Sequence, residues 1–357
     1  MTPVELSRTV LCAVRRAVDA GELSVAVPAR AVVSAPGPGG TGDYATNIAL
    51  QLARPAGRTP RHVAEVLRDR ISAAPGVRGV EITGPGFLNI SLDSAAPAAL
   101  VREIRTQGLR YGHSDALAGQ VLSVRLPVAH EPRAEVVADA LVRIAATQGA
   151  RAHLHRGTGT HDDDVAPQGA RAHLHPGTGA HEDEDDVESV DLRTLPPAPR
   201  DPTPLGPDAA RWALLHPAPH DRPRIGAEHL VQRERNPLFR VRYAYARTRA
   251  LGRNAADLGF TAYAGDLTDV PPPPLLAVLA DHPRQLLGAA THRAPDRLAR
   301  HLVTLADATL AFLPTVLPLG DEKPSAAHRA RLALVEAAGT VLAGGLSLLG
   351  IDAPEHL

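Results

Sequence analysis

The chain is 357 residues long, 44% hydrophobic and only 3% aromatic, with 38 basic against 39 acidic side chains. That length and apolar content suit two or three domains whose cores are built mainly from Leu, Val and Ala. A single cysteine, Cys12, excludes an internal disulfide and a cysteine-only zinc site; with no unbroken apolar run of roughly 18 residues and no signal-like stretch after Met1, the chain reads as cytoplasmic, without a membrane partner.

From Val4 to Val18, the residues Val4, Leu6, Val10, Leu11, Val14 and Val18 mostly follow helical spacing and predict an amphipathic helix. Ala31 to Ser34 reads as a short strand, and residues 35–47 (APGPGGTGDYATN) as a turn-rich loop before a helix through Ala53. A further helix is expected from Thr59 to Ser72, with Val63, Val66, Leu67 and Ile71 on one side. Gly79 to Leu92 then gives two strands broken at Gly84-Pro85-Gly86, and Ala95 to Gly108 returns to helix.

The middle of the chain holds a tandem duplication. QGARAHLHRGTGTHDDDVAP from Gln148 recurs as QGARAHLHPGTGAHEDEDDV from Gln168, a period of 20 residues. Residues 148–191 carry ten Asp/Glu against three Arg, a local charge of −7 that leaves +6 on the rest of the chain. Each copy also carries three histidines: His153, His155 and His161, then His173, His175 and His181. Imidazole and carboxylate together are ligands for zinc or nickel, but flexible ligands must be ordered before they bind and no supporting shell is evident. The expectation is a disordered acidic spacer with no metal, continued by the proline-rich stretch Pro196 to Pro207.

Helix signals then run from Asn236 to Leu258, Leu275 to Ala280, Pro283 to Ala290, Pro295 to Phe312 and Ala326 to Leu349, without strand patterns, which predicts a helical bundle. In NPLFRVRYAYAR, residues 236–247, proline fits the first helical turn, and Arg240, Tyr243 and Arg247 share one face. Guanidinium suits phosphate and a ring suits an unstacked base, so this face is a candidate RNA contact; the plain alternative is a solvated arginine face with a tyrosine packed on its stems.

The segment resembles the opening of the anticodon-binding helical domain of arginyl-tRNA synthetases, a run like NP-x-Y-x-V-Q-Y-A-H-A-R. Asn236, Pro237, Val241, Tyr243, Ala244, Ala246 and Arg247 match, whereas Arg240 and Arg242 are read as replacing an aromatic and a glutamine, and Tyr245 a histidine. LGPDAARWALL, Leu205 to Leu215, is similar to the passage leading into that domain, and the ending from Arg331 to Leu357 is similar to its closing phrase, with Gly350 a left-handed helix stop. The resemblance assigns Arg240, Tyr243 and Arg247, with His356 and Leu357 at the C-terminus, to the anticodon. GDYATNIALQLA and GPGFLNISL resemble the additional N-terminal domain of the same family, which assigns Phe87 and Asn89 to the tRNA elbow. On a strand such residues share a face, offering a ring for stacking and an amide for a base edge.

Residues 121–141 resemble the family's first catalytic strand and helix, keeping Arg133, Val136, Val137, Asp139, Ala140 and Leu141. The signature is absent: Val128, His130 and Glu131 stand where histidine, glycine and histidine are expected, and the single lysine, Lys323, supplies no Lys-Met-Ser-Lys loop. Those histidines stabilise charge on ATP phosphates, which valine cannot do and glutamate opposes.

The resulting expectation is an α+β N-terminal domain (1–112), a remnant of the catalytic fold (113–147), an acidic duplicated linker (148–204) and an all-α anticodon-binding bundle (205–357). Function is expected to be tRNA binding, of tRNA-Arg, by a pseudoenzyme without catalytic residues or cofactor. The alternatives are a protein-interaction module on the same scaffold, with a protein partner, and a divergent active arginine-tRNA ligase.

Overall fold

The computed structural model describes all residues except 1–2, 35, 38–39, 93–95, 128, 157–186, 193–194, 266 and 268–273. Its N-terminal part runs α1 (Pro3–Asp19), β1 (Val33–Ser34), β2 (Tyr44–Thr46), α2 (Ile48–Ala53), α3 (Pro60–Ser72), β3 (Val77–Thr83) and β4 (Phe87–Leu92). The strands form an antiparallel sheet in the order β1-β2-β4-β3. Leu6, Val10 and Val14 of α1 and Val63, Leu67 and Ile71 of α3 share one core with Leu88 and Ile90 of β4. Local chemistry fixes where α3 begins: Thr59 caps it by accepting from the His62 N–H, and Pro60 needs no partner in the first turn.

Helix α4 (Ala96–Gln107), expected to belong with the first 112 residues, packs elsewhere: Leu100, Val101 and Ile104 join the core that continues to Ile351. The same core takes in β5 (Val121–Leu126) and α5 (Pro132–Ala146). The stretch read as linker from residue 148 is strand at both ends: β6 (Arg151–Arg156) and β7 (Val187–Asp191) lie parallel on either side of β5. Two constraints account for this. A lone apolar strand with two open edges must find backbone partners. Gln148 is also fully buried, its amide donating to the Gly112 carbonyl (3.1 Å) and accepting from the Ser114 hydroxyl (2.6 Å), which aims the following residues along β5. His153 and His155 therefore lie on a strand, whereas His161, His173, His175 and His181 fall outside the described residues.

The bundle comprises α6 (Pro207–Leu215), α7 (Pro237–Asp257), α8 (Pro274–Thr291), α9 (Pro295–Phe312) and α10 (Ala326–Leu349). One window of α10 averages 1.8 in hydropathy, apolar enough by length and composition to cross a membrane, yet 72% of it is buried inside this protein. The helix is apolar on nearly all sides because other helices surround it. Two glycines let them approach closely: a methyl group on Gly339 would meet the Thr248 hydroxyl of α7, and one on Gly345 would meet Leu302 of α9. Gly350 ends α10 in the left-handed region at φ 70°, as expected.

Sequence punctuation misleads at Pro283, where two helices are expected and α8 continues through. A proline within a helix leaves the carbonyl four residues earlier without its N–H donor. Here that carbonyl belongs to Leu279, and the buried Tyr111 hydroxyl donates to it at 3.1 Å. The Tyr111 ring stacks on His282, whose ring packs in turn on His301. Burial holds both imidazoles neutral, driving His282 well below its ordinary value and His301 from 6.5 to about 4.

Two outcomes are expected. Tyr111→Phe leaves the Leu279 carbonyl buried and unsatisfied, so chemical denaturation should show a loss of about 1–3 kcal/mol. A buried neutral imidazole gains its proton on unfolding, so the His282–His301 contribution is complete above pH 6.5 and is lost as pH falls toward 4. Melting temperature should drop across that window, and less steeply in His301→Gln.

Candidate nucleic-acid interface

The start of α7 is built by its own residues. Asn236 is buried; its Oδ1 accepts from the Leu238 N–H at 3.1 Å, and its Nδ2 donates to the carbonyls of His229 (2.8 Å) and Val231 (2.9 Å). Both the helix and the segment before it are thereby fixed. One turn on, Phe239 and Tyr243 stack with centroids 5.4 Å apart and planes 16° from parallel. At 100° per residue these rings occupy the middle of a stripe, with Arg240 and Arg247 to one side and Arg242, Arg249 and Arg253 to the other.

Most of those arginines are engaged. Arg240 leans onto α9, its Nη1 donating to both carboxylate oxygens of Asp307 at 2.8 and 2.9 Å. Arg242 pairs with Asp208 at 3.2 Å, while Arg249 and Arg253 reach Glu355 of the C-terminal tail at 3.0 and 3.9 Å. Arg247 is exposed and has no ion-pair partner among the described residues. The tail ends beside the same helix: exposed Leu357 joins Phe239, Arg242 and Gln232 around a hollow of about 260 Å³, with exposed His356 next to it.

All five residues expected at the anticodon thus lie on or beside α7, but Arg240 differs from the others in facing a carboxylate. Phe239 was missed, and the signal for it is in the motif. Counting NP-x-Y from Asn236 places the aromatic on residue 239, so Arg240 does not replace it, and the stacking partner of Tyr243 is present.

In the N-terminal sheet, Phe87 is 43% exposed whereas Asn89 is 2% exposed. They project from the same face of β4, but the chain at Gly40 covers the Asn89 amide, whose Nδ2 donates to the Thr83 hydroxyl at 2.7 Å. Asn89 holds the turn that carries Phe87, and only Phe87 is presented to a ligand.

At the start of α5, Glu131 caps the helix, its Oε2 accepting from the Ala134 N–H at 2.6 Å and its Oε1 from Ala198 N–H at 2.9 Å. His130 pairs with Glu135 at 2.9 Å, and Val128 lies outside the described residues. Among the described residues no group of three or more His, Cys, Asp or Glu is placed to hold a metal ion.

Comparison with known families places both ends of the chain. Residues 5–92 match the family described as arginyl tRNA synthetase N terminal domain, and residues 241–357 match the DALR anticodon binding domain. The chain carries two domains of the arginyl-tRNA synthetase family. The arginine–tRNA ligase of Renibacterium salmoninarum is 48% identical over 162 residues, 42% of this chain and 29% of that protein. That of Frankia alni is 39% identical over 157 residues, 42% of this chain and 28% of the relative. The matched stretch spans under a third of the length of these relatives. Among solved structures, Thermus thermophilus arginyl-tRNA synthetase superposes with a TM-score of 0.68 at 16% identity, over 100% of both chains. The Plasmodium falciparum arginyl-tRNA synthetase gives 0.62 at 10% identity over 99% of each. At these identities the likeness is one of fold. The aromatic pair lies at the boundary of the matched DALR region, and Phe87 lies within the matched N-terminal domain.

Asn89 and Phe87 are separable experimentally. Asn89→Ala should lower the denaturation midpoint by removing a buried hydrogen bond, whereas Phe87→Ala should change stability by no more than about 0.5 kcal/mol.

Proposed function

We propose that this chain is a non-catalytic tRNA-binding member of the arginyl-tRNA synthetase family. It holds tRNA-Arg at the elbow through Phe87 and at the anticodon through the face of α7. The observation that carries this reading is the Phe239–Tyr243 stack, in which Tyr243 is exposed and Phe239 half-buried, beside an uncommitted Arg247. Two parallel rings offer a platform for an unstacked base, and the guanidinium beside them is free to meet the adjoining phosphate. Two modest sites on one rigid RNA reinforce each other through effective concentration.

The non-catalytic part of the proposal is supported at the start of α5. A helix N-terminus is a ready site for phosphate, since its N–H groups and dipole favour an anion. In this chain the carboxylate of Glu131 takes that position and also holds Ala198, so an approaching triphosphate meets negative charge.

A second reading, a protein-interaction module, is favoured by one specific observation. Arg240, Arg242, Arg249 and Arg253 are each paired with a carboxylate of this chain, which reduces the field available to a polyanion.

Fluorescence anisotropy with labelled transcripts decides between the readings. Tight binding of tRNA-Arg over an unrelated tRNA at moderate salt is expected, with Tyr243→Ala weakening it roughly tenfold or more, the worth of one stacked base. Equal binding of both transcripts would defeat the tRNA reading, and ATP–pyrophosphate exchange above background with arginine would defeat the non-catalytic one.

A further inference from the structure

A cleft of about 780 Å³ lies between the N-terminal sheet and the bundle. One wall is β1, β2 and the start of α1, and the other is α8 and α9. Its charged lining is Arg284, Arg297 and Arg300 against the carboxylate Asp281, and with Asp296 held under Arg300 the site keeps a net surplus of one positive charge. Arg284 pairs with Asp281 at 2.7 Å, and Arg300 with the buried Asp296 beneath it. Arg297 is exposed and has no ion-pair partner among the described residues.

Two uncharged polar groups also line the cleft. His301 lines the cleft, is only 7% exposed, and its Nε2 has no hydrogen-bond partner among the described residues. Tyr44 lines the opposite wall, its phenol pushed up to about 12 by burial and by Asp281 and Asp43, so it keeps a proton to donate. A cleft this size with an excess of guanidinium groups, a phenol donor and an unmatched buried imidazole is suited to a phosphate-bearing ligand.

We propose that this cleft receives a phosphodiester of the bound RNA, gripped between Arg297 and Arg300 on the bundle and Tyr44 on the N-terminal domain. This rests on the tRNA-binding reading and extends it. A phosphate held there touches the elbow-binding and anticodon-binding units together, so binding fixes their relative orientation as well as adding a contact. Arg297 is the residue whose charge is available for this. Arg300 acts with it while remaining tied to Asp296.

The test uses the full chain with a fluorescent tRNA-Arg transcript, titrated over a series of salt concentrations. Arg297→Ala removes an exposed side chain and should leave the melting temperature unchanged. It is expected to weaken binding three- to tenfold at low salt and to reduce the slope of log affinity against log salt by about 0.7, the value for one lost phosphate contact on unpaired RNA. Thr304→Glu places a carboxylate on the exposed lining of α9 in a residue type that suits a helix, and should weaken binding at least as much. Unchanged affinity and slope in both variants, with Tyr243→Ala still impaired, would overturn the cleft assignment and leave the tRNA reading standing. Absence of tRNA binding by the unmodified chain would overturn both.

Discussion

The structure depends on one carboxylate, Asp139. It accepts from Arg143 on its own helix and from Arg211 on α6, each at 2.7 Å, while Arg143 Nε also donates to the Leu348 carbonyl at the end of α10 at 2.9 Å. The final turn of the bundle is thereby fixed to α5 and α6. The fit is tight, since a side chain at Gly350 would meet both guanidinium groups. A second anchor lies at the other end of α5, where buried Arg133 donates to the carbonyls of Pro196, Ala218 and Asp221. Arg133 and Asp139 are residues by which the segment resembles the start of a catalytic fold, and here both brace the bundle. In this chain both side chains therefore have a packing role that requires no chemistry at an ATP site.

Long helices and their stops were legible because apolar periodicity and capping residues act locally. Thr59, Asn236 and Gly350 do in the structure what their residue types suggest. What the sequence did not reveal depends on partners far along the chain. Pro283 looks like a break until Tyr111, 168 residues away from Leu279, supplies the missing donor. The residues from Arg151 to Arg156 look like a solvated histidine-rich spacer until β5 offers an edge with no other partner. Neither effect leaves a trace within a short window of sequence.

The candidate site was legible in part for the same reason. Resemblance located α7 and the hairpin carrying Phe87, but not which side chains face outward. Asn89 is turned inward by Thr83, and Arg240 is held at the surface by Asp307, neighbours in space that lie on other elements. Phe239 could have been found from spacing alone, because aromatic residues four apart on a helix stack along its surface. The arginine pairs around that stack lower the net positive charge that the face presents.

The parallel sheet has a bearing on how the duplicated segment arose. Residues 157–186 join two strands that are both held by β5, so their anchorage is set by backbone pairing and by Gln148, whatever the number of residues in between. Lengthening such a crossover is mild, about 0.6 kcal/mol for each doubling. On that scale a twenty-residue insertion at this point adds little to the cost of bringing β6 and β7 to the two edges of β5.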